Sequence, residues 1–188
     1  MKDFEKVVVE SRKAWRDWLT LHHSQAESIW LVTYKKHVEE RYLPYDDIVE
    51  EALCFGWIDS LPRRLDEERT MLLLSPRKPK SVWSKLNKER IARLIEQGLM
   101  MPPGLEKVER AKADESWVFL DDVEALILPD DLQAALNSNQ QAKQYFEAFS
   151  PSKKKGILQW IKMAKREQTR CQRIEKTVTL AAKNKSAR

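Results

Sequence analysis

The segment from Glu51 to Asn87 carries the densest mixture of charged and aromatic residues in the chain. It includes the sequences EALCFGWIDS and TMLLLSPRKPKSVWSKLN, in which tryptophans stand among acidic and basic residues. Because an unpaired buried charge is costly, such a mixture is typical either of a charge-paired structural joint or of a binding or catalytic site. This segment is therefore the first place where we expect chemistry.

Asp59 is the acidic candidate in this segment. It stands two residues after Trp57, so both side chains lie on one face if the segment is a strand. Its carboxylate is a candidate ligand-binding or acid–base group whose pKa the neighbouring charges and the indole would set, and Glu51 is a second acid–base candidate. The structural alternative is an ion pair that locks the hairpin to the next helix. Three cations are candidate partners in that pair: Lys36, Arg63 and Arg77.

The basic segment PRKPKSVWSK predicts an anion site. If a helix begins at Ser81, its backbone N–H groups, its dipole and the adjacent cations favour a bound anion. Trp83 offers a surface on which a nucleotide or a single-stranded nucleic acid can stack. The alternative is a solvated loop with Trp83 packed into the core. The predicted ligand-binding residues are Lys36, Trp57, Asp59, Arg77, Lys78, Ser81, Trp83, Ser84 and Asn87.

The sequence lacks the motifs of metal, cofactor and nucleophilic chemistry. His22, His23 and His37 have no metal-ligand spacing with one another or with the cysteines, and neither HExxH nor CxxC occurs. The phosphate-binding patterns GxGxxG and GxxxxGK[ST] and the nucleophile pattern GxSxG do not occur either. We therefore expect no metal and no cofactor, and we assign no catalytic residue beyond the two acidic candidates.

The elements that must position these residues predict an α+β fold. We expect a small antiparallel sheet with helices in residues 1–98, followed by an all-helical region in residues 99–188 that is packed on the first part or separate from it. Residues 28–36 have the β-branched and aromatic content of a strand. The run from Pro44 has the apolar stripe of a helix, which Gly56 ends.

A hairpin and a second helix are expected next. Residues 57–63 and 69–75 predict two strands joined by a turn around LDEE. Ser81 is then expected to cap a helix that ends at Gly98. A further short strand is expected at residues 3–9, where the sequence is rich in valine.

The C-terminal region predicts several helices with basic surfaces. One begins near Pro102, others follow the capping residues Asp130, Asn139 and Ser150, and the last covers residues 168–183. As nucleic-acid contacts, the basic residues of the last helices would bind in a salt-sensitive and sequence-independent manner. The alternative is ordinary solvated helix faces. The residues concerned are Lys153, Lys154, Lys155, Lys162, Lys165, Arg166, Arg170 and Arg173.

Composition limits the class of protein further. A chain of 188 residues with 42% hydrophobic residues can bury a sizeable core, and only four glycines disfavour an all-β fold with many tight turns. The net charge of +5 attracts anions, acidic partners or nucleic acid weakly. Cys54 and Cys171 are expected to be two buried thiols in a reducing cytosol. The N-terminus has the pattern of neither a signal peptide nor a membrane span, so we expect a cytoplasmic protein.

Six motifs along the chain form a recognisable pattern. They are WLVTYKK at 30–36, YDDIVEEALCFGWID at 45–59, SPRKPKSVWSKLN at 75–87, RLIEQGLMMPPGLEKVERAK at 93–112, DLQAAL at 131–136 and AKREQTRCQRI at 164–174. This pattern resembles the YdeI/OmpD-associated (bacteriocin-protection) family over nearly the whole chain. The resemblance implies a role in envelope stress or in resistance to antimicrobial peptides, and it brings no catalytic residues. The motif residues that coincide with the candidate site are Lys35, Lys36, Glu51, Asp59, Arg77, Ser81, Trp83, Ser84 and Asn87.

Three functions remain open on this basis. The first is a non-enzymatic binding protein that holds a small anionic ligand or an acidic protein partner around the GWID and PRKPKSVWS motifs. The second is a small hydrolase- or transferase-like enzyme that uses Asp59 or Glu51 as its acid–base group, which requires a carboxylate pKa raised toward neutrality. The third is a nucleic-acid-binding accessory protein, which requires the basic C-terminal helices to present one continuous face.

Overall fold

The structure is a computed structural model that describes residues 4–188. These residues form two compact units, 4–118 and 119–188. The first unit is α+β and the second is helical, which confirms the predicted fold class. No helix among the described residues is long and apolar enough to cross a membrane. The division into domains after residue 98 stays a prediction, and Asp3 of the predicted first strand lies outside the described residues.

A four-stranded sheet forms the centre of the first unit. Its strands are β1 (Lys6–Val8), β2 (Ile29–Tyr34), β3 (Trp57–Arg64) and β4 (Arg69–Pro76), and their order across the sheet is β1-β2-β4-β3. β4 pairs antiparallel with β2 and with β3, whereas β1 pairs parallel with β2. The sheet is therefore mixed and not purely antiparallel, because the helix α1 (Arg12–His22) connects β1 to β2 as a crossover.

One face of the sheet contributes to the hydrophobic core together with two helices. Leu31 of β2 stands opposite Leu72 of β4, and both side chains belong to the core. Trp15 and Leu19 of α1 are fully buried in the same core. The indole Nε1–H of Trp15 donates a hydrogen bond of 3.1 Å to the carbonyl of Ile48, which lies in the helix α2 (Tyr45–Cys54). This bond satisfies the one polar group of a buried tryptophan.

Helix α2 joins the sheet to the other helices of the first unit. It packs against α1, β3 and two later helices, α3 (Lys85–Glu96) and α4 (Pro102–Ala113). Asp46 and Asp47 lie in its first turn, where negative charge complements the helix dipole, as the sequence predicts. After its last residue, Gly56 adopts φ +77° and turns the chain into β3. This left-handed conformation favours glycine and explains the predicted end of the helix.

Helix α3 begins three residues later than the sequence predicts. Its N-cap is Ser84, whose hydroxyl accepts a hydrogen bond of 3.3 Å from the backbone N–H of Asn87. Ser81, the predicted cap, lies before the helix and donates its hydroxyl to the carbonyl of Lys78 at 2.7 Å. The turn at residues 79–80 takes Ser81 out of the helix, although both serines have the residue type of an N-cap.

Helix α4 approaches the end of α2 at backbone contact distance. Gly104 is buried there, and a Cβ atom at this position would lie 2.7 Å from the carbonyl carbon of Cys54 and 2.8 Å from the carbonyl oxygen of Leu53. The backbone N–H of Met101 donates a hydrogen bond of 3.1 Å to the carbonyl of Cys54. A glycine is required for this approach, which fixes the position of the side chains along α4.

The second unit is built from five helices. They are α5 (Asp121–Glu124), α6 (Asp130–Asn137), α7 (Gln140–Ala148), α8 (Pro151–Lys162) and α9 (Glu167–Ala181). Asn139 and Ser150 cap α7 and α8 with their side chains, as the sequence predicts. Asp130 is the first residue of α6 and not its cap, because Pro129 occupies that position. Helix α9 packs against α6, α7 and α8.

The two cysteines differ in their environment. Cys54 is buried in α2, and Cys171 is exposed on α9. The prediction of two buried thiols is therefore confirmed for Cys54 and wrong for Cys171. Helix α9 is polar around most of its circumference, and most of its residues, including Cys171, are not buried.

Candidate anion-binding cleft

Arg77 is the central residue of the candidate site. It directly follows β4, and its backbone N–H donates a hydrogen bond of 2.9 Å to the carbonyl of Gly56. Only 4% of the residue is exposed. Its guanidinium carbon lies 3.5 Å from the centre of a Trp83 ring, which is a cation–π contact. One terminal nitrogen donates to the carbonyl of Val82 at 3.3 Å.

The positive charge of Arg77 is incompletely compensated. Its buried Nε–H has no hydrogen-bond partner among the described residues. Burial lowers the pKa of Arg77 to about 10, and the negative charge of Asp59 offsets only part of this effect. Buried polar groups normally have a partner, so an unused guanidinium donor is unusual and makes Arg77 a candidate for ligand binding.

Arg77 lines a cleft between the loop after β4 and helix α4. The enclosed cavity of the cleft is about 10 Å³, which is room for about one water molecule and far below the roughly 300–1,000 Å³ of typical small-molecule pockets. Its described lining combines five cations with one carboxylate. The cations are Arg77, Lys78, Lys80, Lys107 and Arg110, and the carboxylate is Asp114. The charge of this lining therefore suits a small anion bound at the mouth of the cleft.

The loop that carries three of these cations is fixed by backbone hydrogen bonds. Lys80 adopts φ 61°, a left-handed conformation that is uncommon for residues other than glycine. Its N–H donates a hydrogen bond of 3.2 Å to one carboxylate oxygen of Asp114, whose other oxygen accepts from the N–H of Ser116 at 3.0 Å. Asp114 therefore binds backbone donors and holds the loop in place beside α4.

Four of the predicted ligand-binding residues come together in this cleft. They are Arg77, Lys78, Ser81 and Trp83, of which Trp83 is 2% exposed and packed in the core, as the structural alternative predicts. Trp57 lies elsewhere, since it is fully buried in the core and its Nε1–H donates to the carbonyl of His23 at 3.0 Å. Ser84 and Asn87 belong to the start of α3, where the Asn87 side chain accepts a hydrogen bond of 3.0 Å from Arg90. The proposed anion position therefore moves from the helix N-terminus to the preceding loop.

Asp59 and Lys36 line a different and larger groove. One carboxylate oxygen of Asp59 accepts a hydrogen bond of 2.6 Å from the hydroxyl of Tyr45. The hydrogen-bond partner is thus a phenol, whereas the sequence predicts a cation, and Arg77 acts on Asp59 only through its charge. Burial and the hydrogen bond to Asp59 raise the pKa of Tyr45 to about 12.

Glu51, the second acid–base candidate, lies in a charge-paired joint between α1 and α2. It is 2% exposed. One of its oxygens accepts from Arg12 Nε at 2.6 Å, and the other accepts from Arg16 at 2.7 Å. Both carboxylate oxygens are therefore engaged with guanidinium groups, and we do not propose Glu51 as an acid–base residue.

The side chains of the three histidines have different neighbours, which are aromatic or basic. His22 stacks on Trp18 with ring centres 4.7 Å apart, and the ring centre of His23 lies 5.8 Å from that of Phe55. His37 lines an open basic groove near β3. Within residues 4–188, no three side chains of His, Cys, Asp or Glu are placed to hold a metal ion.

Several C-terminal basic residues have acidic partners within the second unit. The ion pairs are Lys155 with Glu124, Lys162 with Asp122 and Arg170 with Asp131, each at 2.6 Å. These partners neutralise part of the basic surface that the nucleic-acid hypothesis requires. The structure therefore offers more support to the Arg77 cleft than to these helices as a binding surface.

Lys107 and Arg110 are the cleft residues that sequence reasoning missed. They lie three positions apart on α4 and therefore on the same face of the helix. The signal in the sequence is Gly104, which stands early in a helix that starts with two prolines. Glycine is unfavourable within a helix unless another element approaches closely, so it indicates that α4 packs against an earlier part of the chain.

The fold and the cleft define a protein with an α+β unit that carries a small cationic site and with a second, helical unit. The chain belongs to the family described as Domain of unknown function (DUF8412), whose model matches residues 7–107. A second family model, described as Bacteriocin-protection, YdeI or OmpD-Associated, matches residues 125–184. This second match confirms the resemblance that the sequence motifs indicate.

The two matches cover different motifs of the sequence. The motifs at 30–36, 45–59 and 75–87 lie within the first match, the motif at 93–112 extends beyond its end, and those at 131–136 and 164–174 lie within the second. Arg77 and its neighbours thus belong to the DUF8412 part of the chain. Comparisons with curated proteins and with solved structures gave no significant match.

Proposed function

We propose that the protein is a binding protein that holds a small oxyanion in the Arg77 cleft. The oxyanion is either free or the acidic group of a larger partner. The observation that supports the proposal is a buried guanidinium with an unpartnered Nε–H in a cleft lined by further cations. A guanidinium can donate two parallel hydrogen bonds to a phosphate, a sulfate or a carboxylate, and its stacking on Trp83 restricts its orientation.

The environment of Arg77 differs from that of a structural cation. The buried charge of Glu51 is matched by Arg12 and Arg16, which is the arrangement expected when a charged group supports the fold. The lowered pKa of Arg77 means that the folded protein disfavours its charged form relative to water. Such a residue reduces stability in the absence of ligand, which is a frequent property of binding sites.

The variant Arg77→Met tests this proposal because it keeps an unbranched apolar chain in place of the arginine methylene groups and removes the charge. We expect its free energy of unfolding to be unchanged or up to about 2 kcal/mol higher than that of the wild type. We also expect phosphate and sulfate to stabilise the wild type, by about 2.7 kcal/mol at a hundredfold excess over Kd, and not to stabilise the variant. The measurement is thermal unfolding at constant ionic strength maintained with chloride, because added salt also screens surface charges.

Lys112→Met is the matched control. Lys112 is a half-exposed cation on α4 that pairs with Glu109 outside the cleft, so its variant should respond to phosphate as the wild type does. Lys107→Met, which removes a cation from the cleft, should weaken the response. If Arg77→Met responds like the wild type, the cleft does not bind the anion. If Arg77→Met unfolds at low temperature, Arg77 is a structural lock.

We propose protection against antimicrobial peptides as the biological setting, since the family description of residues 125–184 names bacteriocin protection. We expect a source strain that lacks the gene to survive a bacteriocin less well than its parent. Wild-type protein should restore survival, and Arg77→Met at the same expression level should restore it poorly. If the wild-type protein and Arg77→Met restore survival equally, protection does not depend on the Arg77 cleft.

A further inference from the structure

We infer that the groove at Asp59 is a second binding site, which accepts a small organic cation with an apolar body. This inference does not depend on the anion proposal. The groove lies where β2, β3 and β4 meet the start of α2, and its volume is about 610 Å³. It is therefore large enough for a small organic molecule, unlike the Arg77 cleft.

The inner wall of the groove is apolar and its rim is aromatic. Leu43, Ile48 and Leu72 line it and are at most 7% exposed, so they provide a fixed apolar surface. Tyr42 and Tyr45 also line it and are 38% and 51% exposed. A wall of apolar and aromatic side chains with few polar groups is the usual composition of a small-molecule site.

Within the described part of the chain, Asp59 is the one carboxylate that lines this groove. Its Oδ2 is held by the Tyr45 hydroxyl at 2.6 Å, and its Oδ1 accepts no hydrogen bond from the described residues. Two hydroxyls at the groove are already engaged as donors, since Ser60 donates to the carbonyl of Leu73 and Thr70 donates to the carbonyl of Arg63. An ionised carboxylate only accepts hydrogen bonds, so its complement is a donor, and an ammonium group is the strongest of these.

The aromatic rim favours a positive charge in the same place. A cation within about 6 Å of a tyrosine ring centre is attracted to the ring face. The ring of Tyr34, which also lines the groove, is already occupied by Arg41, whose guanidinium carbon lies 4.2 Å from its centre, so Tyr42 and Tyr45 are the rings that remain for a ligand. An amine at Asp59 would lie beside the ring of Tyr45, the residue that positions the carboxylate.

Two lysines that line the groove, Lys35 and Lys36, could repel a bound cation. The ammonium of Lys35 donates to the carbonyls of Asp66 and Glu67 at 2.6 and 2.9 Å, so its charge is directed away from a ligand. Lys36 is exposed and opposes a bound cation only through solvent, where charge interactions are weak. The carboxylate and the apolar wall therefore select an amine with an aromatic or aliphatic body.

The test compares three benzene derivatives of similar size that differ in charge. They are benzylamine (positive), benzyl alcohol (neutral) and benzoate (negative). We expect only benzylamine to give saturable chemical-shift changes in a two-dimensional amide NMR spectrum, centred on Tyr45 and Asp59. Asp59→Asn should weaken benzylamine binding at least about tenfold, which corresponds to the loss of one charge-assisted hydrogen bond. Lys36→Met should strengthen it, because the opposing charge is removed.

Glu96→Gln is the matched control, since it makes the same charge change at an exposed position of α3 outside the groove. It should leave benzylamine binding unchanged, and the NMR spectrum of Asp59→Asn without ligand shows whether that variant is folded. Stronger binding of benzoate would overturn the inference, because Lys36 would then control the site. Equal binding of all three probes, or no binding of benzylamine up to about 10 mM, would overturn it as well.

Discussion

Gly104→Ala is expected to lower the free energy of unfolding by about 3 kcal/mol. The added methyl group would overlap with the backbone carbonyls of Cys54 and Leu53 at the end of α2. Those atoms belong to a packed helix and cannot rotate aside as a flexible side chain can, so α4 must move away from the core. The measurement is urea unfolding of the variant and the wild type under identical conditions.

Gly156→Ala is the control for this prediction because Gly156 also lies within a helix, α8. The nearest atom to a Cβ at that position is 3.8 Å away, on the side chain of Arg188. Alanine should therefore stabilise the protein by about 0.5–1 kcal/mol through its higher helix propensity. If both variants change stability in the same direction, the contact of α4 with α2 is not what makes Gly104 necessary.

A second large decrease in the free energy of unfolding is expected at alkaline pH, where the thiol of Cys54 ionises. Burial raises the pKa of Cys54 to about 11 from its ordinary value of 9.0, and the nearby charge of Glu51 acts in the same direction. The folded protein therefore retains a proton that the unfolded chain loses between these two values. The stabilisation is complete below pH 9 and is lost as the pH rises through 11, so Cys54 should reduce the free energy of unfolding by about 2 kcal/mol by pH 11.

Cys54→Ala isolates this contribution. The variant should be less stable than the wild type at pH 8, by about 1 kcal/mol, because it leaves a small cavity in the core. Between pH 9 and 11 it should lose less stability than the wild type by about 2 kcal/mol, so the free energies of unfolding of the two proteins should cross near pH 10 and the variant should be the more stable one at pH 11. Tyr45 and Arg77 also titrate at high pH, but they do so in both proteins and cancel in the difference.

Cys171→Ala is the control for the alkaline prediction. Cys171 is exposed, so its removal should leave the wild-type dependence of stability on pH. The prediction fails if Cys54→Ala loses as much stability as the wild type between pH 9 and 11. That outcome would mean that water reaches the thiol in the folded protein.

The elements whose structure depends on neighbouring residues along the chain are predictable from sequence. The hairpin of β3 and β4 agrees with the predicted strands 57–63 and 69–75 to within one residue at each end. The alternation of side chains and the polar turn are local signals, which a single sequence contains. The N-caps Asn139 and Ser150 are predictable for the same reason, since the side chain bonds to an N–H three residues later.

The features that depend on tertiary contacts were not predictable in the same way. Ser81 and Ser84 are equally suitable as caps, and the turn beside α4 decides between them. Trp57 has the composition of a site wall, but it packs in the core against Trp18. Lys107 enters the cleft from a helix 30 residues after Arg77 in sequence, because Gly104 allows α4 to lie against α2. The predicted basic segment therefore supplied only half of the cleft.

Asp59 interacts with both sites. Its carboxylate accepts a hydrogen bond from the hydroxyl of Tyr45 in the groove, and its negative charge stabilises the positive charge of Arg77 in the cleft. An amine bound to Asp59 would neutralise its negative charge, so Asp59 would no longer stabilise the positive charge of Arg77. The affinity of Arg77 for an anion should then rise. The two ligands would then bind cooperatively, and the anion would strengthen amine binding by the same factor. With this coupling, occupancy of both sites is highest when the amine and the anion are present together, and each ligand alone binds more weakly.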